Sequence, residues 1–378
     1  MSTLTPHRPS TGRPLVLRVD VVLGLTTLIV AAIGVVIVYS STRTLAVLEG
    51  LSPHYYLDHQ AAYVLAGALA MVVLAVVDYH WLEHASAVLY IGVLLALLVT
   101  FSPVGSSALG ATRWIEVGPV QIQPSAFAIP VLIVTVATFC ARRPEGLERT
   151  DLIKVLALAA VPILLVVKQP DLASGIVMSV VLLVMLVVAG IPNRYLVLLL
   201  ASAVIGGFAI VHLGFLQSYQ LDRLTSFLNQ GKDLKGSTYN VHQSVAAIGS
   251  GGFWGKGLLH GSQTNLQYVP SQPTDFIFSA VGEQLGFVGS ASVILLLAIV
   301  SWRMLRAAQT SYDAFGRLLA VGGFAFIAFS AFENAGMSMG IMPVAGIPLP
   351  FLSYGGSAIV AFFCAVGMGL SVHLHQKR

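Results

Sequence analysis

Charge is what this sequence has least of. Only 10% of its 378 residues are Asp, Glu, Lys or Arg, whereas 56% are hydrophobic. A soluble domain carries roughly 25% charged residues, so the shortage excludes a soluble globular chain and leaves a polytopic membrane protein. The alternating segments of about ten residues that a membrane β-barrel needs are missing too. The apolar tracts are long and unbroken, which suits helices that satisfy their own backbone hydrogen bonds. Cysteine is almost lacking: Cys140 and Cys364 sit in or beside apolar tracts, without metal-ligand spacing, and read as small packing residues. No zinc-type cluster, Walker sequence or GxSxG elbow is present, and the ten histidines are scattered. A net charge of +4 says little about nucleic acid; here basic residues are better read as topology signals. No fixed-period repeat appears.

What is there is a series of apolar spans of about 20 residues. They run approximately over Val16–Ser40, Ala61–Val77, His84–Phe101, Ser125–Cys140, Leu152–Val167, Leu172–Ala189, Tyr195–Leu216, Phe276–Val300, Leu318–Met337 and Ala358–Val372. The expected fold is all-α: one ten-helix transmembrane domain over residues 16–373, with an N-terminal tail (1–15) and a C-terminal tail (374–378). The first apolar run is too long for a signal-peptide core of roughly 7–15 residues and is read as a retained span. Residues 102–124 read as a Gly/Ser-rich loop. The longest connection, residues 217–275 between helices 7 and 8, contains aromatics and a helical Ser-Val-Ala-Ala-Ile stretch, so it is expected to pack on the membrane face.

Ten spans put both termini on one side. Arg8, Arg13, Arg18, Arg142, Arg143, Arg149, Lys154, Arg194, Arg303, Arg306, Arg317, Lys377 and Arg378, thirteen of the twenty basic residues, fall on that side. The positive-inside rule makes it cytoplasmic. Arg113, Lys168, Asp171, the long loop, Asp275 in the polar island Gln267–Gly286, and the Pro/Gly-rich loop Gly340–Gly356 then face outward.

Within that island Pro270 and Pro273 hold the chain out of a helix, and Asp275 stands directly before the apolar run Phe276-Ile277-Phe278. Thr274 or Asp275 can cap the helix that follows. An acid at such an apolar boundary is equally a candidate catalytic group, with desolvation raising its basicity and the helix N-terminus opposing that. Glu283, two turns on, is an acid inside a span, by default functional or paired. The outer cations Arg113, Lys168, Arg223 and Lys256 suit either a phosphate or pyrophosphate group or ordinary salt bridges. Glycines at 251, 252, 255 and 257 around Lys256 resemble an anion-binding nest. The residues alone describe an outward membrane site with a carboxylate, basic groups and no nucleotide machinery. Such a site fits an enzyme on a lipid-pyrophosphate substrate, and also a transporter.

Several stretches carry a more specific likeness. They are Gly110–Ile115, Gln123-Pro124-Ser125, Lys168–Leu172, Gly249–Gly257, Thr274–Phe278 and the late run Met342–Ser357. In these the chain resembles the SEDS family of shape, elongation, division and sporulation glycosyltransferases. The runs Gly255–Gln263 and Ile341–Gly346 look more like the elongation (RodA) branch than the division (FtsW) branch. The resemblance implies a ten-span fold with an outward polar cavity. It implies polymerisation of lipid II, with its undecaprenyl lipid, into β-1,4 glycan strands, and Asp275 as the essential residue, taken here as general base. It implies a class B penicillin-binding protein (transpeptidase) and other elongation-machinery proteins as partners, and no nucleic acid. Candidate substrate-binding residues are Arg113, Lys168, Asp171, Arg223, Gln243, Lys256, Glu283 and Ser353. No cofactor is identified; a divalent cation, Mg or Mn, is left open, with no ligand cluster to hold it. A lipid II flippase is the rival reading, weakened because no paired half-helices or coupling-ion chain are evident. The division-specific paralogue is the nearest alternative, and a scaffold with decayed chemistry a third reading.

The chain departs from the family pattern at named places. Ala126 and Ile129 stand where relatives have Glu and Lys in span 4. Ala173-Ser174 replaces Gly-Thr, Gln284 replaces the second acid of a Glu-Glu pair, and Pro273 stands where His is frequent.

Overall fold

A computed structural model describes residues 20–102, 105–108, 111–117, 120–143, 146–212 and 237–375. The helices in order are α1 (Val21–Leu48), α2 (Tyr55–Val76), α3 (His80–Val99), α4 (Pro124–Ala141), α5 (Arg149–Lys168), α6 (Leu172–Val188), α7 (Asn193–His212), α8 (Ser237–Ser250), α9 (Ser262–Asn265), α10 (Ile277–Thr310), α11 (Ala314–Ser338) and α12 (Gly356–Leu374). Of these, all but α8 and α9 correspond to the ten expected spans. Among the described residues eight helices are long and apolar enough to cross a membrane by length and composition, and α6 is a shorter apolar helix. The expected tail 1–15, residues 376–378 and residues 213–236 of the long loop, Arg223 among them, lie outside the described residues.

The most buried helices are α4, α11 and α12; α2, α3 and α5 turn most of their surface outward. α12 lies along α2, α11 packs against α10, α4, α6 and α12, and α1 packs against α10. Small residues permit the closest approaches: a side chain on Gly67 would strike the Phe363 ring, and one on Gly367 the Met71 backbone. Leu65, Val88, Leu164 and Val197 are 65–74% exposed on the periphery. In water those side chains would be a liability; against lipid chains they are solvated. The molecule is a multi-pass helical membrane protein.

Several boundaries differ from the expected ones. α1 continues eight residues past Ser40, because the polar stretch after it does not end the helix. Thr42 Oγ1 and Ser41 Oγ donate back to the Val38 carbonyl at 2.7 and 3.1 Å, so the hydroxyls are satisfied inside the helix. α2 begins at Tyr55 and α10 extends to Thr310. The larger correction is at 102–124, read as a loop. It forms a three-stranded antiparallel sheet, β1 (Gly105–Ala108), β2 (Ala111–Val117) and β3 (Val120–Ile122). Ile115 pairs with both Gly105 and Ile122, and β1 is irregular between Ser106 and Ser107. The β-branched residues of Thr112–Val117 and Val120–Ile122 favour strands, but such short strands are hidden among glycines and serines.

One end of the bundle gathers the connections that matter. There the α1–α2, sheet, α5–α6, α7–α10 and α11–α12 segments meet. Tyr354 N donates to Pro273 O at 2.8 Å. Gln60 Nε2 donates to Ser353 O at 3.3 Å, Gln267 Nε2 to Ser41 O at 3.2 Å, and Gln123 N to Ser357 Oγ at 2.9 Å. At the other end, the ion pairs Arg303–Asp20 (2.6 Å) and Arg143–Asp151 (2.6 Å) tie helix ends together.

Candidate active site

Asp275 sits at the first of these ends, half-buried, two residues before α10. It does not cap the helix: the N-cap position is Phe276, with no side-chain cap hydrogen bond, and Thr274 Oγ1 instead donates to Ser271 O at 3.1 Å. Ser271 adopts a left-handed conformation (φ 54). That turn folds the chain so that the amides of Thr274 and Asp275 converge on its carbonyl, at 3.2 and 3.0 Å.

The Asp275 main chain is fixed from several directions. Its carbonyl accepts from Asn334 Nδ2 of α11 at 2.7 Å, and the same nitrogen reaches Ile347 O at 2.7 Å. Phe276, 1% exposed, packs with Ala247 of α8, Val269, Met337 of α11 and Val344. Gln272 donates to Ser279 Oγ at 2.9 Å, and Ser279 Oγ to Phe276 O at 2.7 Å. A carboxylate on an immobilised backbone is what positioned proton transfer requires.

Beside this loop lies a group of rings. Tyr354 stacks edge-on with Tyr56 at 5.4 Å and lies 6.2 Å from Tyr63. Burial, with the neighbouring tyrosines, pushes the Tyr354 hydroxyl above the usual phenol range, so it remains a neutral hydrogen-bonding group.

The other sequence candidates take distinct places. Arg113, on β2, donates through Nε to Gln169 O at 3.1 Å and through Nη2 to Pro170 O. It fastens the sheet to the α5–α6 break. Asp171, 2% exposed, caps α6: it accepts from Ser174 N (3.2 Å), Ser174 Oγ (2.8 Å), Ser125 Oγ (2.7 Å) and Gln123 Nε2 (3.2 Å). Lys168 is exposed, with its ammonium 5.7 Å from the Phe101 ring centre. Gln243 is half-buried on α8. Ser353 is buried and closes its own turn, its Oγ accepting from Leu349 N at 2.9 Å.

Glu283 and Lys256 come together as an ion pair at 2.9 Å. Glu283 is fully buried and also accepts from Gln263 N (2.8 Å), Thr264 N (2.9 Å) and Thr264 Oγ1 (2.7 Å). It organises α9. The glycine loop is no free anion nest. α10 breaks at Gly286 (φ 66, ψ −162), and the loop fills the break. Lys256 N and Gly257 N donate to Glu283 O and Gln284 O at 3.0 Å each, while Phe287 N and Val288 N donate to Gly252 O and Phe253 O at 3.0 and 3.2 Å. Four backbone groups of α10 around the broken turn thus find partners in the loop. An apolar cavity of about 570 Å³ opens beside the break, lined by Ile248, Phe278, Phe287, Ile294, Leu295 and Met339 among others.

Ala126 and Ile129 are 7% and 4% exposed. Gln284 is buried and accepts from Ser40 Oγ at 2.5 Å. One residue against Asp275 escapes the sequence reading, Asn334; so does its neighbour in sequence Glu333, a carboxylate only 3% exposed inside α11. The signal for Glu333 is plain in the chain, since an acid inside an apolar span is functional by default. Among the described residues no three His, Cys, Asp or Glu side chains group as metal ligands.

Fold and site thus define a multi-pass membrane protein with a rigidly presented carboxylate at one end of its bundle. Residues 21–378 match the FtsW/RodA/SpoVE family, described as cell cycle proteins. The chain is 34% identical over 361 residues to the probable peptidoglycan glycosyltransferase FtsW of Geobacter sp. (strain M18), covering 95% of this chain and 97% of the relative. It is 36% identical over 327 residues to the peptidoglycan glycosyltransferase MrdB of Escherichia coli (strain K12), covering 85% and 86%. Among solved structures, Thermus thermophilus rod shape determining protein RodA superposes with a TM-score of 0.71 at 26% identity, covering 97% of this chain and 100% of that one. A chain from a peptidoglycan synthase complex that coordinates polymerization and crosslinking superposes with a TM-score of 0.79 at 27% identity, covering 95% and 99%. The chain belongs to the FtsW/RodA/SpoVE family.

Proposed function

We infer that this protein is a peptidoglycan glycosyltransferase that joins lipid II disaccharide units into glycan strands. The carrying observation is Asp275: a half-buried carboxylate whose main chain is pinned by α11 and by the 342–355 segment, at the junction of five connections, in a chain that matches named peptidoglycan glycosyltransferases over 85–95% of its length. Asp275 takes the proton from the 4-hydroxyl of the incoming GlcNAc. The oxygen attacks the anomeric carbon of the lipid-linked MurNAc, the glycosidic bond to the diphosphate breaks, and undecaprenyl pyrophosphate leaves with the electron pair. Inversion turns an α-linked donor into a β-1,4 product. A pyrophosphate leaving group needs its charge met rather than a proton delivered, so one carboxylate serves where glycoside hydrolysis uses two. Lys168, whose ammonium is in no ion pair among the described residues, and Arg223 are the cations assigned to that charge; Arg113 and Lys256 support the site by fastening its walls. The apolar cavity beside Gly286 suits the isoprenoid chain. The Asp275 end faces outward, both termini face the cytoplasm, and a class B penicillin-binding protein crosslinks the strands. The elongation role rests on the Gly255–Gln263 and Ile341–Gly346 runs.

Polymerisation of purified lipid II in detergent tests this. Wild type is expected to give a polymer ladder and Asp275→Asn none, with both proteins monodisperse. A ladder from Asp275→Asn removes the base assignment. Polymer without any membrane sidedness also excludes the flippase reading. EDTA in the same assay decides the cation: product lost and restored by Mg or Mn shows a requirement, and unchanged product shows none.

A further inference from the structure

At the end of the bundle opposite Asp275, where α10 turns into α11, two cations stand without a counter-charge. A short turn, residues 311–313, joins the helices, and α11 packs back along α10. Arg306 is four residues before the end of α10, and Arg317 three after the start of α11. Both therefore lie about 5–6 Å along from the turn, at one level on adjacent antiparallel helices. Packed helix axes are roughly 8–10 Å apart, a gap that two long arginine side chains can close on one small group.

Each arginine ends a stripe that faces lipid. On α10, Leu295, Ala298, Trp302 and Arg306 follow at spacings of three and four and are all exposed, Leu295 at 61% and Trp302 at 58%. The other side of the helix, with Val293, Leu297, Val300 and Met304, is buried. On α11, Arg317 is the one exposed residue of the stretch 315–323, and about four turns on the same side reaches Phe332, 63% exposed. A tryptophan on a lipid-facing stripe marks the level where chains give way to headgroups. Arg306, one turn beyond Trp302, is placed among the headgroups.

The acids nearby are engaged elsewhere. Asp20 is gripped by Arg303 through Nε at 2.8 Å and Nη2 at 2.6 Å. Asp313, four residues before Arg317, accepts from Tyr79 OH at 2.6 Å and Gly316 N at 3.4 Å and lies 3.7 Å from His80 Nε2. Among the described residues Arg306 and Arg317 are in no ion pair. The chain before Asp20 and after His375 contains no acid, only further cations such as Arg18 and Lys377.

We propose that Arg306 and Arg317 form a binding site for the phosphate of an anionic membrane phospholipid, whose acyl chains lie along the stripe above Trp302. Guanidinium forks match phosphate oxygens bidentately, and paired cations at a leaflet surface favour a lipid of net negative charge over a zwitterionic one. Nothing in this site depends on the reaction at Asp275.

Native mass spectrometry of the full chain, titrated in detergent with phosphatidylglycerol or with phosphatidylcholine of the same acyl chains, tests it. Wild type is expected to bind phosphatidylglycerol about tenfold more tightly, and Arg306→Gln with Arg317→Gln to lose that preference. Arg149→Gln with Lys154→Gln, which removes the same charge from exposed positions of α5, is expected to keep it. If the double variant on α10 and α11 is not monodisperse, the single variants Arg306→Gln and Arg317→Gln carry the test, each expected to lose about threefold. Glycerol 3-phosphate is expected not to displace the lipid; displacement would mark a soluble phosphate ligand and overturn the lipid assignment. Equal affinity of wild type for the two lipids overturns the proposal. So does an equal loss in the α5 variant, which makes the attraction a property of total charge rather than of this site.

Discussion

Two buried acids of this protein illustrate how burial alone does not assign a role. Asp171 has its donors around it and caps α6. Glu283 is encircled by two amides, a hydroxyl and an ammonium, and its work is to hold α9 against α10. Glu283→Ala would leave those buried donors without an acceptor, a cost on the order of 3 kcal/mol. A clear drop in the detergent melting temperature is therefore expected, larger than for Lys256→Ala, which leaves the carboxylate its amide donors. Equal melting temperatures for Glu283→Ala and wild type would show that the ring of hydrogen bonds contributes nothing. The sequence marked Glu283 and Asp275 as notable because acids are rare in apolar runs, and that logic was sound. It did not show that Glu283 is an acid ringed by donors, because the donors come from residues 19 to 27 positions away in a loop whose path no local pattern specifies. Asn334 was invisible for the same reason: its partners at 275 and 347 meet it only in three dimensions.

At the scale of elements, the long helices were legible and the irregular pieces were not. An apolar tract of about 20 residues has one stable form in lipid, so the spans follow from composition. The sheet at 105–122 and the repair of the α10 break depend on which backbone groups find partners across the chain. The glycines there were read as an anion nest, but their amides are taken: those of Gly251, Gly252 and Gly255 by the carbonyls of Ile248, Gly249 and Gly251, and that of Gly257, with Lys256, by carbonyls of α10. Space makes the same point. A Cβ on Gly251 would lie 2.0 Å from the Gly282 carbonyl oxygen, and one on Gly255 (φ 82) 2.2 Å from that of Gln284. These obstacles are backbone and cannot swing aside, so Gly251→Ala is expected to push the loop off the break. Ala at Gly249, where no atom lies within 4 Å, is the control and is expected to be silent. Proteolysis in detergent reads the difference: Gly251→Ala should be cut in the 251–265 region faster than Gly249→Ala, and equal rates would mean the loop does not depend on that contact.

For the whole molecule, the two ends of the bundle differ in their basic residues. The end opposite Asp275 carries Arg142, Arg143, Arg149, Arg303, Arg306 and Arg317, and ion pairs such as Arg303–Asp20 and Arg143–Asp151 belong to it. Basic residues close to span ends are retained on the cytoplasmic side, which supports the proposed orientation, with the Asp275 end outward toward a lipid-linked sugar on the outer leaflet. With only two native cysteines, one buried and one half-buried, a cysteine-free background is accessible through Cys140→Ala with Cys364→Ala. On that background, a membrane-impermeant maleimide applied to spheroplasts is expected to label Ser271→Cys, on the exposed turn before Asp275, and to leave Arg149→Cys unlabelled until the membrane is opened. The reverse pattern would place the carboxylate in the cytoplasm. It would then be on the wrong side for polymerising an exported lipid, and the functional reading would fall even though every contact within the fold still stood.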